Sequence, residues 1–131
     1  MDKKLIIIAE DEVAYGRILK DALENEEYAI AVVLNGEDLL KAIRVREPGL
    51  ILLDLVMPVK NGFEVLTEMK KDDKLKHIKV IALSNLGQEE DIERAKKLGA
   101  DDYIVKSDET FYAVIDKIEK LFNHVGKEDS L

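Results

Sequence analysis

Five short aliphatic runs divide the chain: KLIIIA (4–9), YAIAVV (28–33), GLILLD (49–54), KVIALS (79–84) and DYIVK (102–106). Most are continuous rather than alternating. A strand with one wet face alternates apolar and polar positions, so uniformly apolar runs predict strands covered on both faces, as in a parallel sheet. The segments between them have helical spacing. Tyr15, Ile18, Leu19, Ala22 and Leu23 form one apolar stripe, and Phe111, Val114, Ile115, Ile118 and Phe122 form another. Residues 36–47, 62–71 and 88–98 carry weaker versions. Asn35-Gly36 and Pro48-Gly49 punctuate turns, and Gly99 falls just after Leu98, where a helix end favours glycine. The strand–helix alternation repeats five times. It predicts an α/β fold of three layers: a doubly wound, parallel, five-stranded sheet with helices on both faces and right-handed crossovers. One domain is expected over 1–124, with 125–131 as a polar C-terminal tail and no output domain.

Composition narrows the function. The chain has 131 residues, 47% hydrophobic and 37% charged, enough for one core under a charged surface. Lys plus Arg number 20 and Asp plus Glu 28, a net charge of −8. A nucleic-acid partner is not expected, because phosphate neutralisation needs a basic face. The absence of cysteine excludes disulfides, thiolate catalysis and cysteine-based zinc sites. The N-terminal apolar run is too short for a signal peptide, and no stretch is long enough to span a membrane. A cytoplasmic protein is expected.

In an open α/β sheet, ligands bind beyond the C-terminal ends of the strands. Glu10, Asp11 and Glu12 follow the first run, Asp54 ends the third, Ser84-Asn85 the fourth, and Lys106-Ser107 the fifth. If the first and third strands are neighbours, Glu10, Asp11 and Asp54 meet. Carboxylates so placed repel one another, and a hard divalent cation relieves the repulsion. Few carboxylates and no EF-hand loop favour Mg²⁺ (or Mn²⁺) over a calcium cage. Lys106 adds a positive charge and Ser84 a hydroxyl. These parts suit phosphoryl transfer to a carboxylate, which needs no general base at neutral pH. Taken singly, Glu10 to Glu12 read as helix-capping acids, Asp54 as a turn residue, Ser84 as an N-cap and Lys106 as a surface lysine. His77 and His124 have no metal or triad spacing and read as surface residues.

The acidic pair Glu10-Asp11, DLVMPVKNG (54–62), Ser84 after the fourth run and DYIVK ending on Lys106 occur in order, each at a strand end. Over residues 4 to 122 the chain resembles the response-regulator receiver domains of two-component signalling, chemotaxis regulators among them. The resemblance implies a flavodoxin-like sheet of order 2-1-3-4-5. It implies that Asp54 is the phosphoacceptor, and that Glu10, Asp11, Asp54 and the Val56 carbonyl hold Mg²⁺. Ser84, Asn85 and Lys106 would meet the phosphoryl group. Ser84 and Tyr103 would switch together, changing the face of the fourth helix, fifth strand and fifth helix. The donor would be a histidine kinase or histidine phosphotransfer protein, and the output a contact with a downstream protein. The protein would be a signalling protein that catalyses only its own phosphorylation and dephosphorylation, not an enzyme acting on others.

Several positions depart from the family pattern. Glu10 stands where aspartate is commoner, Asn85 where a small residue is usual, and Ser107 where proline is usual, so a trans Lys106–Ser107 bond is expected. Val56 and Leu86, both apolar, would flank the path of the attacking water, which implies slow loss of phosphate. A haloacid-dehalogenase-like phosphatase would need an aspartate at position 56, and an electron carrier a hydroxyl-rich phosphate loop in place of EDEVAYG. No P-loop or dinucleotide fingerprint occurs. Asn85 and Ser107 leave open a protein-binding module that does not use phosphorylation.

Overall fold

The computed structural model describes residues 3–130, and the side chains of 3–122. Five strands, β1 (Lys4–Ala9), β2 (Tyr28–Val33), β3 (Leu50–Leu53), β4 (Val80–Ser84) and β5 (Asp102–Val105), alternate with five helices. These are α1 (Val13–Leu23), α2 (Gly36–Val45), α3 (Gly62–Lys71), α4 (Glu89–Lys97) and α5 (Phe111–Ser130). All strand pairings are parallel, in the order β2-β1-β3-β4-β5.

The sheet explains the uniform apolarity of its strands. Successive side chains point to opposite faces, and both faces are covered. Ile7, Ala9, Ile51, Leu53, Val80 and Ala82 pack with Leu39, Ile43, Val65, Leu66 and Ala95 of α2, α3 and α4. Their neighbours Ile6, Ile8, Leu50, Leu52, Ile81 and Leu83 pack with Leu19 and Leu23 of α1 and Val114 and Ile118 of α5. The α1 stripe is narrower than its spacing predicts: Ile18 is half exposed and Ala22 is exposed.

Local chemistry sets several helix ends. Asn35 caps α2 by accepting from the Asp38 N–H. At α3, Asn61 accepts from the Glu64 N–H while Glu64 accepts from the Asn61 N–H, a reciprocal capping box. After α4, Gly99 takes φ 114°, with Gly99 N–H bonded to Lys96 and Ala100 N–H to Ala95. That pair of bonds closes a helix through a left-handed residue, which glycine adopts without a Cβ clash. By contrast, the acids before α1 do not cap it through their side chains: Glu12, its N-cap, makes no such bond. The backbone of α5 stays helical to Ser130, through 125–130, where a polar tail was expected.

Candidate functional site

Adjacency of β1 and β3 is what assembles the charges. Their register pairs Ala9 with Leu53, so the residues that follow, Glu10 and Asp54, leave the sheet side by side. Both are pinned by backbone bonds to the neighbouring strand, Glu10 N–H to Val33 and Asp54 N–H to Ala9. Lys106 enters from the end of β5. Its Nζ lies 2.8 and 2.9 Å from the two Glu10 carboxylate oxygens and 3.2 Å from Asp54 Oδ2. Asp54 Oδ1 accepts from the Val56 N–H at 3.1 Å. Two donors therefore fix the plane of the Asp54 carboxylate. Glu10, Asp54 and Lys106 are only 2%, 5% and 8% exposed, whereas Asp11 is exposed.

Buried charge must be paired, and here the pairing is incomplete. With all four groups ionised, three carboxylates and one ammonium leave an excess of two negative charges. Burial and the adjacent Asp54 push the Glu10 carboxyl up to about 8, against the opposing pull of Lys106. Burial alone would lower Lys106, but Glu10 and Asp54 outweigh it and raise it. One oxygen from each of Glu10, Asp11 and Asp54 can be chosen so that all three lie within 4.8 Å of one another. An all-oxygen set with two surplus negative charges fits a hard divalent cation. Glu10 differs from the other two, because both of its oxygens are already on Lys106.

Ser84 and Tyr103, the pair expected to switch together, lie on β4 and β5. Ser84 is fully buried at the end of β4, and its Oγ accepts from the Leu86 N–H at 3.3 Å. The Tyr103 hydroxyl donates to the Leu86 carbonyl at 2.5 Å. Leu86 thus joins Ser84 to Tyr103, a link that the apolar character of residue 86 does not signal in the sequence. Burial, then Asp91, pushes the Tyr103 hydroxyl up to about 12. Asn85 is exposed, beside buried Ser84. Ser107 is exposed in a 3-10 turn (Lys106–Asp108), and no cis peptide occurs among the described residues. His77 is exposed and sits 2.8 Å from Glu47; the side chain of His124 lies outside those described.

Known proteins resemble this chain in sequence and fold. Residues 6–116 match the family model of the response regulator receiver domain. The chemotaxis protein CheY of Halobacterium salinarum is 36% identical over 104 residues, 79% of this chain and 84% of that one. The probable transcriptional regulator ycf27 of Cyanophora paradoxa is 35% identical over 106 residues, 81% of this chain but 43% of its own length. The chain thus spans under half of that relative. Among solved structures, the phosphorylated cyanobacterial phytochrome response regulator RcpA superposes with TM-score 0.78 at 32% identity, covering 95% of this chain and 91% of that one. The Mn²⁺-bound response regulator Rcp1 superposes with TM-score 0.78 at 26% identity, covering 90% and 91%. This chain belongs to the response regulator receiver domain family. Its flavodoxin-like order and its acidic cluster agree with that membership and with a divalent metal site. No described helix is long and apolar enough to cross a membrane.

Proposed function

We propose that Asp54 accepts a phosphoryl group from a phosphohistidine on a histidine kinase or phosphotransfer protein. The observation that carries this reading is the convergence of three strand ends, with Lys106 bridging Glu10 and Asp54 beside Asp11. In the step, an Asp54 carboxylate oxygen attacks phosphorus, the P–N bond to the imidazole breaks, and the imidazole takes a proton. Mg²⁺, held by Asp11, Asp54, the Val56 carbonyl and Glu10, would neutralise charge on the transferring oxygens. Lys106 would turn part of its hydrogen bonding from Glu10 to the phosphoryl group, and Ser84 would donate to it. That pull on Ser84 would reach Tyr103 through Leu86. The face built by α4, β5 and α5 would shift its population toward a form that binds a downstream protein in the cytoplasm.

Incubation with acetyl phosphate, with and without Mg²⁺, followed by intact mass, tests the reading. A Mg²⁺-dependent phosphate adduct on the wild type and none on Asp54→Ala is the expected result. No adduct on the wild type, or an equal adduct on Asp54→Ala, overturns it in favour of a binding module that works without phosphorylation.

A further inference from the structure

Lys106 has a third neighbour that none of the roles above uses. Its Nζ stands 4.4 Å from the centroid of the Tyr15 ring, within cation–π range. The ring also packs against Phe111: the two rings are 4.9 Å apart between centroids and tilted by 48°. The Tyr15 hydroxyl is buried and makes no hydrogen bond to protein among the described residues. What Tyr15 offers the site is therefore its face, not its polar atom. A buried ammonium needs compensation on every side. The carboxylates of Glu10 and Asp54 supply directional bonds. A ring face attracts the charge through its quadrupole without fixing a direction. An ammonium so held can turn toward a new anion without returning to water.

We infer that Tyr15 is a positioning residue for Lys106: its ring face steadies the ammonium over the carboxylates and lets it pivot toward the arriving phosphoryl group. The inference rests on the role proposed for Lys106. It places α1 and, through Phe111, the start of α5 in contact with the chemistry, because Tyr15 belongs to α1 and Phe111 opens α5.

Lysine ¹³Cε–¹Hε correlation spectra of the metal-free protein test the geometry, with Lys106 assigned by its loss in Lys106→Arg. The Lys106 ε-methylene protons should lie upfield of the other lysines through the ring current. Tyr15→Phe should keep that shift and Tyr15→Leu should abolish it. In parallel, Tyr15→Leu should slow Mg²⁺-dependent phosphorylation by acetyl phosphate about 2- to 30-fold. Tyr15→Phe should restore what Tyr15→Leu loses. A Lys106 signal among the bulk lysines in the wild type overturns the inference. So does a Tyr15→Leu protein with unchanged rate, or a Tyr15→Phe protein as slow as Tyr15→Leu. Should Tyr15→Leu fail to fold, Tyr15→Met replaces it with the same expected losses. Because the spectra need neither metal nor phosphate, an absent phosphate adduct overturns the proposed function and leaves this geometry standing.

Discussion

Val59 takes φ 68°, and the Lys60 N–H bonds to the Pro58 carbonyl two residues back at 2.7 Å. This is a γ-turn centred on a β-branched residue in the left-handed region, a conformation that costs on the order of 1–3 kcal/mol. Val59→Gly should stabilise the fold by about 1 kcal/mol, once the added freedom of the unfolded chain is subtracted. Urea unfolding measures this, and a loss of stability would refute strain at Val59. Nothing in the sequence marks this strain, because valine is among the last residues a turn of that kind would be assigned. Three positions before Val59, Val56 is 57% exposed, and Leu86 is half-buried. On the proposed function, these two apolar side chains would flank the acyl phosphate and give an incoming water no partner. Val56→Asn should therefore shorten the phosphorylated lifetime, and an equal or longer lifetime would refute the reading. Tyr103 yields a pH prediction. Its folded-state hydroxyl is raised from 10 to about 12, so folding retains the proton. The stability this contributes is whole below pH 10 and is lost as pH rises toward 12. Tyr103→Phe should flatten that part of the alkaline loss in urea midpoints; identical slopes in the two proteins would contradict it.

The loop between β3 and α3 is built around one missing side chain. A Cβ on Gly62 would fall 2.7 Å from the Asp54 carbonyl oxygen and 2.8 Å from Leu55 Cα. Both contacts are backbone, so neither can rotate away. Gly62→Ala should destabilise by about 1–3 kcal/mol and, by displacing Asp54, slow phosphate uptake; a wild-type thermal midpoint and rate together would show that the loop yields freely. Elements were the most legible level in the sequence. β1, β2 and α3 coincide with their expected spans, and β3, β4 and β5 fall within a residue at each end. The cause is physical: strands buried on both faces have no polar positions to blur them. Helix ends were less legible, because α1 starts without a side-chain cap and α5 continues past its apolar stripe. At the site, the strand-end rule gathers Glu10, Asp54 and Lys106 from sequence alone. The bidentate hold of Lys106 on Glu10 and the ring of Tyr15 beneath it depend on strand order and helix rotation, which residue spacing does not carry.

At the scale of the molecule, net charge and site charge have the same sign. The chain carries −8 overall, and its carboxylate cluster, with every group ionised, an excess of two. A divalent cation bound only by the folded state adds stability by mass action, about 2.7 kcal/mol at a hundredfold excess over its Kd. Adding Mg²⁺ should raise the wild-type thermal midpoint by several degrees and chelation should reverse it. Asp11→Asn should blunt the response, and an equal response in that variant would remove Asp11 from the ligand set. The bridge made by Lys106 also bears on how the protein comes into being. Its two partners lie 96 and 52 positions earlier in the chain. A ribosome-bound chain that has emerged only through β4 holds both acids but lacks their counter-ion. The Lys106 bridge can therefore form only once β5, the last of the five strands, has joined the sheet. On the proposed function, a copy that stops short of β5 would hold both acids without the lysine that meets the phosphoryl group.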